Sequence, residues 1–101
     1  MEKSYCYILQ TIENTLYCGW TLDLDRRVIE HNSPDSKTKH TRIRQPVKLV
    51  YFEEFDTRAK AAQRECQIKR LSSKQKIELI KLKYPEFTIP NFVKKPPFIK
   101  I

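Results

Sequence analysis

The sequence predicts a small α/β domain of the α+β type, and three observations carry that prediction. Two β-rich runs flank a cluster of turn residues, a third run of β-branched and aromatic residues follows later, and the segments between and after them have helical spacing with capping residues at their starts. The 101 residues, 40% of them hydrophobic, leave room for one modest core.

Residues 5–10 (YCYILQ) are rich in β-formers, 11–14 (TIEN) are turn residues, and 15–20 (TLYCGW) resume the β-like composition, which makes a hairpin. An odd-numbered loop gives cross-strand pairs an even positional sum, and Tyr7 and Tyr17 then point to one face. Gly19, the one glycine of the chain, closes the second strand, where a missing side chain lets a substrate or the next helix approach the backbone. Thr21 is the expected cap of a helix that has Asp23 and Asp25 in its first turn and runs through Leu24, Val28 and His31, with Arg27 and His31 on adjacent turns. Residues 32–36 (NSPDS) end it, and 37–44 (KTKHTRIR) read as a basic, solvent-facing loop.

Pro46 precedes VKLVYFEEF, the expected third strand. Asp56 and Thr57 start a helix over 58–71 whose stripe of Ala61, Ala62, Ile68 and Leu71 contains a carboxylate, Glu65. The run 72–75 (SSKQ) fits a capping box for a further helix that shows Ile77, Ile80 and Tyr84 on one face and ends at Pro85. The expected division is a domain over 1–84 and a proline-rich C-terminal arm over 85–101 that packs on it through its aromatics.

A formal net charge of +8 points to a polyanionic partner, either nucleic acid or an anionic membrane surface. The chain holds no apolar run long enough to span a bilayer, and its first ten residues are too polar for a signal peptide, so a cytoplasmic location without a membrane is expected. Cys6, Cys18 and Cys66 are odd in number, far apart and form no C-x-x-C pair, which favours reduced, mostly buried thiols over a disulfide framework or a zinc site.

The polar residues that suit chemistry are Tyr7, Tyr17, Arg27, His31 and Glu65, framed by Lys37, Lys39, His40, Arg42 and Arg44. Phosphodiester cleavage needs a divalent metal to offset phosphate charge, a group to take a proton from water, and a cation near the transition-state oxygens. Glu65 suits one Mg2+ or Mn2+ ion, because magnesium keeps most of its waters and uses one or two carboxylates. Arg27 suits bidentate pairing with phosphate, and Tyr17 suits orienting or deprotonating the water. Each residue also has an ordinary reading: the tyrosines as sheet aromatics, Arg27 as a solvated helix residue paired with Asp23, Glu65 as the partner of Lys69, and His31 as a C-terminal residue favoured by the helix dipole.

The order of these residues adds to that reading. Tyr5-Cys6-Tyr7, a turn, Tyr17-Cys18-Gly19, a helix with Arg27 and then His31, a Thr-Arg-x-Arg segment before PVKLVY, and a later helix with Arg64 and Glu65 together resemble the GIY-YIG nuclease superfamily. The pattern is similar in particular to the small bacterial stand-alone GIY-YIG domain proteins and covers about 4–80. The resemblance implies a three-stranded antiparallel sheet flanked by helices, Tyr7 and Tyr17 as site tyrosines with Tyr17 as general base, Arg27 on the phosphate, Glu65 on one divalent metal, and His31 as a further site residue. The first triplet departs from the family pattern in having Tyr5 and Cys6 in place of glycine and isoleucine.

The expected function is therefore a metal-dependent DNA nuclease. A domain this small has little surface for reading bases, so low sequence specificity is expected, with single strands or structured ends as substrate and no nucleotide cofactor. Two alternatives stay open: a nucleic-acid-binding module of the same fold without cleavage, and a partner-docking scaffold that uses the C-terminal arm.

Overall fold

In the computed structural model, which describes residues 3–87, the first two strands form the expected hairpin: β1 (Ser4–Gln10) and β2 (Leu16–Thr21) pair antiparallel. The loop between them has five residues, 11–15, and closes with the Thr11 N–H donating to the Thr15 carbonyl at 2.9 Å. Asn14 takes the left-handed backbone conformation there, with φ 66°, which asparagine tolerates better than most residues. The odd loop sets an even register: Tyr7 lies opposite Gly19 and Leu9 opposite Tyr17. Tyr7 and Tyr17 consequently share a face, as the parity argument requires.

β3 (Lys48–Phe55) pairs antiparallel with the other edge of β1, giving the order β2-β1-β3 with a register shift at Ile8 and Leu9. The central strand is thus covered on both sides. One face carries Tyr7, Leu9, Val47 and Leu49 against Leu24 and Val28 of α1 (Leu24–His31). The other carries Cys6, Ile8, Cys18, Val50 and Tyr51 against Ile68 of α3 (Arg58–Lys69) and Ile80 of α4 (Ser73–Lys83), with a four-residue helix, α2 (Lys39–Arg42), lying between α1 and β3 in the chain. Burial on both faces is why YCYILQ is nearly continuous in apolar residues.

Some boundaries differ from expectation. The cap of α1 is Asp23, whose carboxylate accepts the Arg26 N–H at 3.1 Å. Thr21 instead folds its hydroxyl onto the Asp23 backbone, accepting its N–H at 3.1 Å and donating to its carbonyl at 3.3 Å, which fixes the entry to the helix without capping it. The basic segment is not a loop throughout, since its middle forms α2. α3 stops at Lys69, and Leu71 lies beyond its cap, Arg70. The capping box on α4 is present: the Ser72 hydroxyl accepts the Gln75 N–H at 3.1 Å and the Gln75 side chain accepts the Ser72 N–H at 2.9 Å. Phe87, three residues past the cap of α4, is fully buried against the α3 and α4 layer, and the remainder of the expected arm lies outside the described residues. Cys6 and Cys18 are buried and Cys66 is exposed, all three as free thiols. Among the described residues no helix is long and apolar enough to cross a membrane.

Candidate active site

The site is built around Tyr7, near the middle of the central strand. Its ring crosses to β2 and lies on Gly19: a methyl group added to that glycine would stand 2.4 Å from the Tyr7 hydroxyl and 2.6 Å from the ring carbon that carries it. The group that approaches the Gly19 backbone is therefore this phenol. Tyr7 is 1% exposed, and burial raises its pKa well above the ordinary phenol value, with Arg27 opposing and the nearby Tyr17 and Glu65 adding to the rise.

His31 is the hydrogen-bond partner of the Tyr7 hydroxyl. Leu24, Val28 and His31 fall on one stripe of α1, so the packing that seats the two aliphatic residues on the sheet also turns His31 inward, where it is 2% exposed. Its Nε2 lies 3.1 Å from the Tyr7 hydroxyl and its Nδ1 lies 2.8 Å from the Thr41 hydroxyl of α2. Burial first, and the positive Arg27 second, push the imidazole pKa down to about 4. The unfolded chain, with an ordinary histidine near 6.5, then binds a proton before the folded protein does, so stability falls as pH drops from about 6.5 to about 4. We expect a loss approaching roughly 3 kcal/mol across that window. Urea unfolding followed between pH 7 and pH 4 should show it, and the slope should flatten in His31→Gln, which has nothing to titrate.

Tyr17 stands beside this pair. Its ring packs edge-on to His31 with centroids 5.2 Å apart and lies tilted against His40 of α2 at 5.6 Å. His40 is held in turn by Thr15 of the hairpin loop, whose hydroxyl is 3.2 Å from Nε2, and burial lowers its pKa. The Tyr17 phenol is half-buried, and its hydroxyl makes no hydrogen bond among the described residues. Of the two site tyrosines, one has its hydroxyl occupied and covered, and the other has its hydroxyl available.

Arg27, one turn before His31, is 41% exposed and pairs with Glu30 at 3.1 Å, not with Asp23. Glu30 also holds Arg26 at 3.3 Å. Arg27 and Glu30 line two clefts: one of about 430 Å3 completed by His31, Asp35, Ser36 and Lys37, and one of about 490 Å3 on the side of Trp20 and Thr21.

Of the basic residues, Lys37, Lys39 and Arg42 are exposed, and Arg42 reaches the Ser36 carbonyl at 3.4 Å. Arg44 is committed elsewhere, to Glu13 on the hairpin loop at 2.7 Å and to the His40 carbonyl at 3.1 Å. The segment is pinned at its ends as well. Asn32 and Val47 exchange two hydrogen bonds, the Asn32 amide donating to the Val47 carbonyl at 3.0 Å and accepting the Val47 N–H at 2.7 Å, and the Gln45 amide donates to the His31 and Ser33 carbonyls.

Glu65 comes from the other layer. It lies between Ala61 and Ile68 on the buried stripe of α3, its side chain is 18% exposed, and it pairs with Lys69 at 3.7 Å. Its charge nevertheless reaches the sheet, where it adds to the raised pKa of Cys6, Cys18 and Tyr7; burial is the main cause in each case and takes Cys6 to about 12. Among the described residues no three His, Cys, Asp or Glu side chains converge to hold a metal. A lone, largely covered carboxylate fits a hard divalent ion that keeps most of its waters and does not fit a zinc centre.

Tyr7, Tyr17, Arg27, His31 and His40 thus stand together on the α1 side, with Lys37 beside them in the cleft and Glu65 behind. Sequence reasoning missed Thr41, Thr15 and Glu30. Only Glu30 had a signal, since a glutamate three residues after Arg27 is in reach on a helix.

The same arrangement has relatives. The family model described as the GIY-YIG catalytic domain matches residues 3–78. A UPF0213 protein of Syntrophus aciditrophicus is 46% identical over 81 residues, covering 80% of this chain and 93% of that protein. One from Staphylococcus saprophyticus is 44% identical over 80 residues, covering 79% and 96%. Among solved structures, the solution NMR structure of a UPF0213 protein from Bacillus halodurans is similar with a TM-score of 0.53 at 37% identity, covering 80% of this chain and 85% of that one. That of a protein from E. faecalis is similar with a TM-score of 0.57 at 32% identity, covering 87% and 93%.

Proposed function

The chain belongs to the GIY-YIG family, a nuclease family, and from that premise we propose that it is a metal-dependent DNA nuclease that hydrolyses phosphodiester bonds with low sequence specificity in the cytoplasm. The observation that supports the reading is a tyrosine with an available hydroxyl, Tyr17, packed on His31, which lines with Arg27 the first of two clefts. Tyr17, its ring fixed between two imidazoles, orients the attacking water and receives its proton. Arg27 leaves Glu30 and pairs with the phosphate, where its planar donors match two oxygens as the charge on them grows. Tyr7 and His31, buried and bonded to each other, hold the wall against which Tyr17 and Arg27 are set. With Glu65 as its protein ligand, a bound Mg2+ or Mn2+ ion supplies charge neutralisation and a more acidic water.

Lys37, Lys39 and Arg42, with His40, supply contacts along a DNA backbone, while Arg44 keeps that segment on the hairpin. Such contacts position a strand without reading it. A face this small, with α1 seated on the sheet through Leu24 and Val28, leaves little surface for base readout, which favours single strands or structured ends over a defined duplex sequence.

The test is cleavage of labelled single-stranded and duplex DNA with and without Mg2+ or Mn2+, by wild type, Arg27→Ala and Glu65→Gln. Each variant should lose on the order of 10²- to 10³-fold in rate, the usual effect of removing one group that meets transition-state charge. Equal cleavage by all three proteins would mean that the site is misassigned. Binding that weakens with salt, without any cleavage, would instead favour a non-catalytic binding module.

A further inference from the structure

We infer that Thr41 is a positioning residue for this site: its hydroxyl holds His31 in the Nδ1–H tautomer and thereby makes Nε2 the acceptor of the Tyr7 proton. One chain of hydrogen bonds sets where each proton sits. The Thr41 hydroxyl lies 3.2 Å from the Thr38 carbonyl, which can only accept, so the single hydroxyl proton is spent there. What Thr41 offers His31 at 2.8 Å is then a lone pair, and Nδ1 must carry the proton between them. A neutral imidazole has one N–H, which leaves Nε2 bare, and across 3.1 Å it can only accept from the Tyr7 hydroxyl. The proton order is Tyr7 to His31 to Thr41 to Thr38, every member fixed by the carbonyl at the end. Tyr7, His31 and Thr41 are all buried, so no water is at hand to substitute for a missing partner.

The polarity matters for the side of Tyr7 that faces the site. With its proton turned toward His31, the Tyr7 oxygen presents only lone pairs outward, and the neighbouring Arg27, which has donors and no acceptor, is matched by them. Were His31 to carry its proton on Nε2, it would donate to Tyr7, whose own proton would then turn outward against the guanidinium. Thr41 therefore acts on Arg27 through two intermediaries, His31 and Tyr7, from the short helix α2.

The kinetic part of this inference rests on the nuclease reading; the tautomer part does not. Long-range 15N NMR of the His31 ring in the full chain should show Nδ1 protonated and Nε2 bare in wild type and in Thr41→Ser, and a shift toward Nε2–H in Thr41→Val. Cleavage should fall on the order of 10- to 100-fold in Thr41→Val, as for loss of other groups that orient an active-site imidazole, and return in Thr41→Ser. A wild-type ring protonated on Nε2 overturns the inference, and needs no variant to fold. So does a Thr41→Val protein that keeps the Nδ1–H ring, or that changes tautomer and cleaves like wild type. The expected tautomers in a wild-type protein that cleaves nothing support the assignment of Thr41 and count against the nuclease reading alone.

Discussion

Tyr17→Phe is expected to lower the rate of DNA cleavage by roughly 10²- to 10⁴-fold, the range for a positioned group that accepts a proton in the transition state, and to leave the fold untouched. The substitution removes one oxygen and nothing else. The ring's contacts with His31 and His40 are made by its faces and edges, which phenylalanine keeps. The hydroxyl has no hydrogen-bond partner among the described residues, so its removal orphans no group, and stability should move by no more than about 0.5 kcal/mol. Tyr7→Phe makes the contrast. That change strips Nε2 of His31 of its buried donor and should cost on the order of 1–3 kcal/mol in stability. Rates measured at matched DNA concentration, beside urea unfolding of both proteins, separate the two phenols: one variant loses activity at constant stability, the other loses stability first. A Tyr17→Phe protein that cleaves at the wild-type rate would remove Tyr17 from the mechanism.

Gly19→Ala should be the most damaging single-methyl change in the sheet. The new methyl would lie 2.4 Å from the Tyr7 oxygen and 2.6 Å from the adjacent ring carbon, well inside contact distance. The ring cannot swing into solvent, because it is buried between β2, β3 and α1, and any shift pulls the hydroxyl from His31. Overpacking of this kind costs roughly 1–3 kcal/mol, and an unsatisfied imidazole adds on the order of 1–2 kcal/mol. For a domain of this size that corresponds to a fall in Tm of about 10 °C or more. The cause can be distinguished from loss of glycine's backbone freedom, because Gly19 does not have a positive φ. If the ring is what suffers, Gly19→Ala should cost distinctly less in a Tyr7→Leu background, a coupling that a double-mutant cycle reads directly. Additive effects would show that the glycine is needed for some other reason.

The hairpin was legible because strand pairing is arithmetic. The four turn residues 11–14 left the parity of the loop open; once the loop is odd the faces of Tyr7 and Tyr17 follow, and its actual five residues place Gly19 opposite Tyr7. That last step needs the loop length, which the sequence reading had one residue short. It also lacked the knowledge that the Tyr7 ring would lie along the pairing direction, over Gly19, and not stand off the sheet. The α4 capping box was legible because both of its hydrogen bonds are local. The start of α1 was not, since Thr21 and Asp23 both carry oxygens that can bond nearby backbone, and only the chain direction out of β2 decides which becomes the cap. α2 has four residues, too few for a period, and no side-chain cap to mark it. Thr41 was invisible for a related reason: its importance lies in His31, ten positions away, and a threonine in a basic run looks like any other solvated residue. Arg27, His31 and Glu65 could be picked out through the order of a family pattern, whereas their pairing with Glu30, Tyr7 and Lys69 depends on how the elements pack.

The paired amide and backbone bonds between Asn32 and Val47 give the molecule a built-in partition of motion. Between them the chain makes an excursion that carries Lys37, His40, Thr41 and Arg44 and returns to its starting point. Local opening in proteins proceeds in contiguous units. With both feet of the excursion tied together and 40–44 anchored through His40, Thr41 and Arg44, a changed length is accommodated at small entropic cost in the stretch 33–37 ahead of α2. In hydrogen exchange the Val47 amide should therefore outlast those of 33–37, marking a fixed floor of Tyr7, Tyr17 and Arg27 beside a rim that can be remodelled without re-registering a single strand.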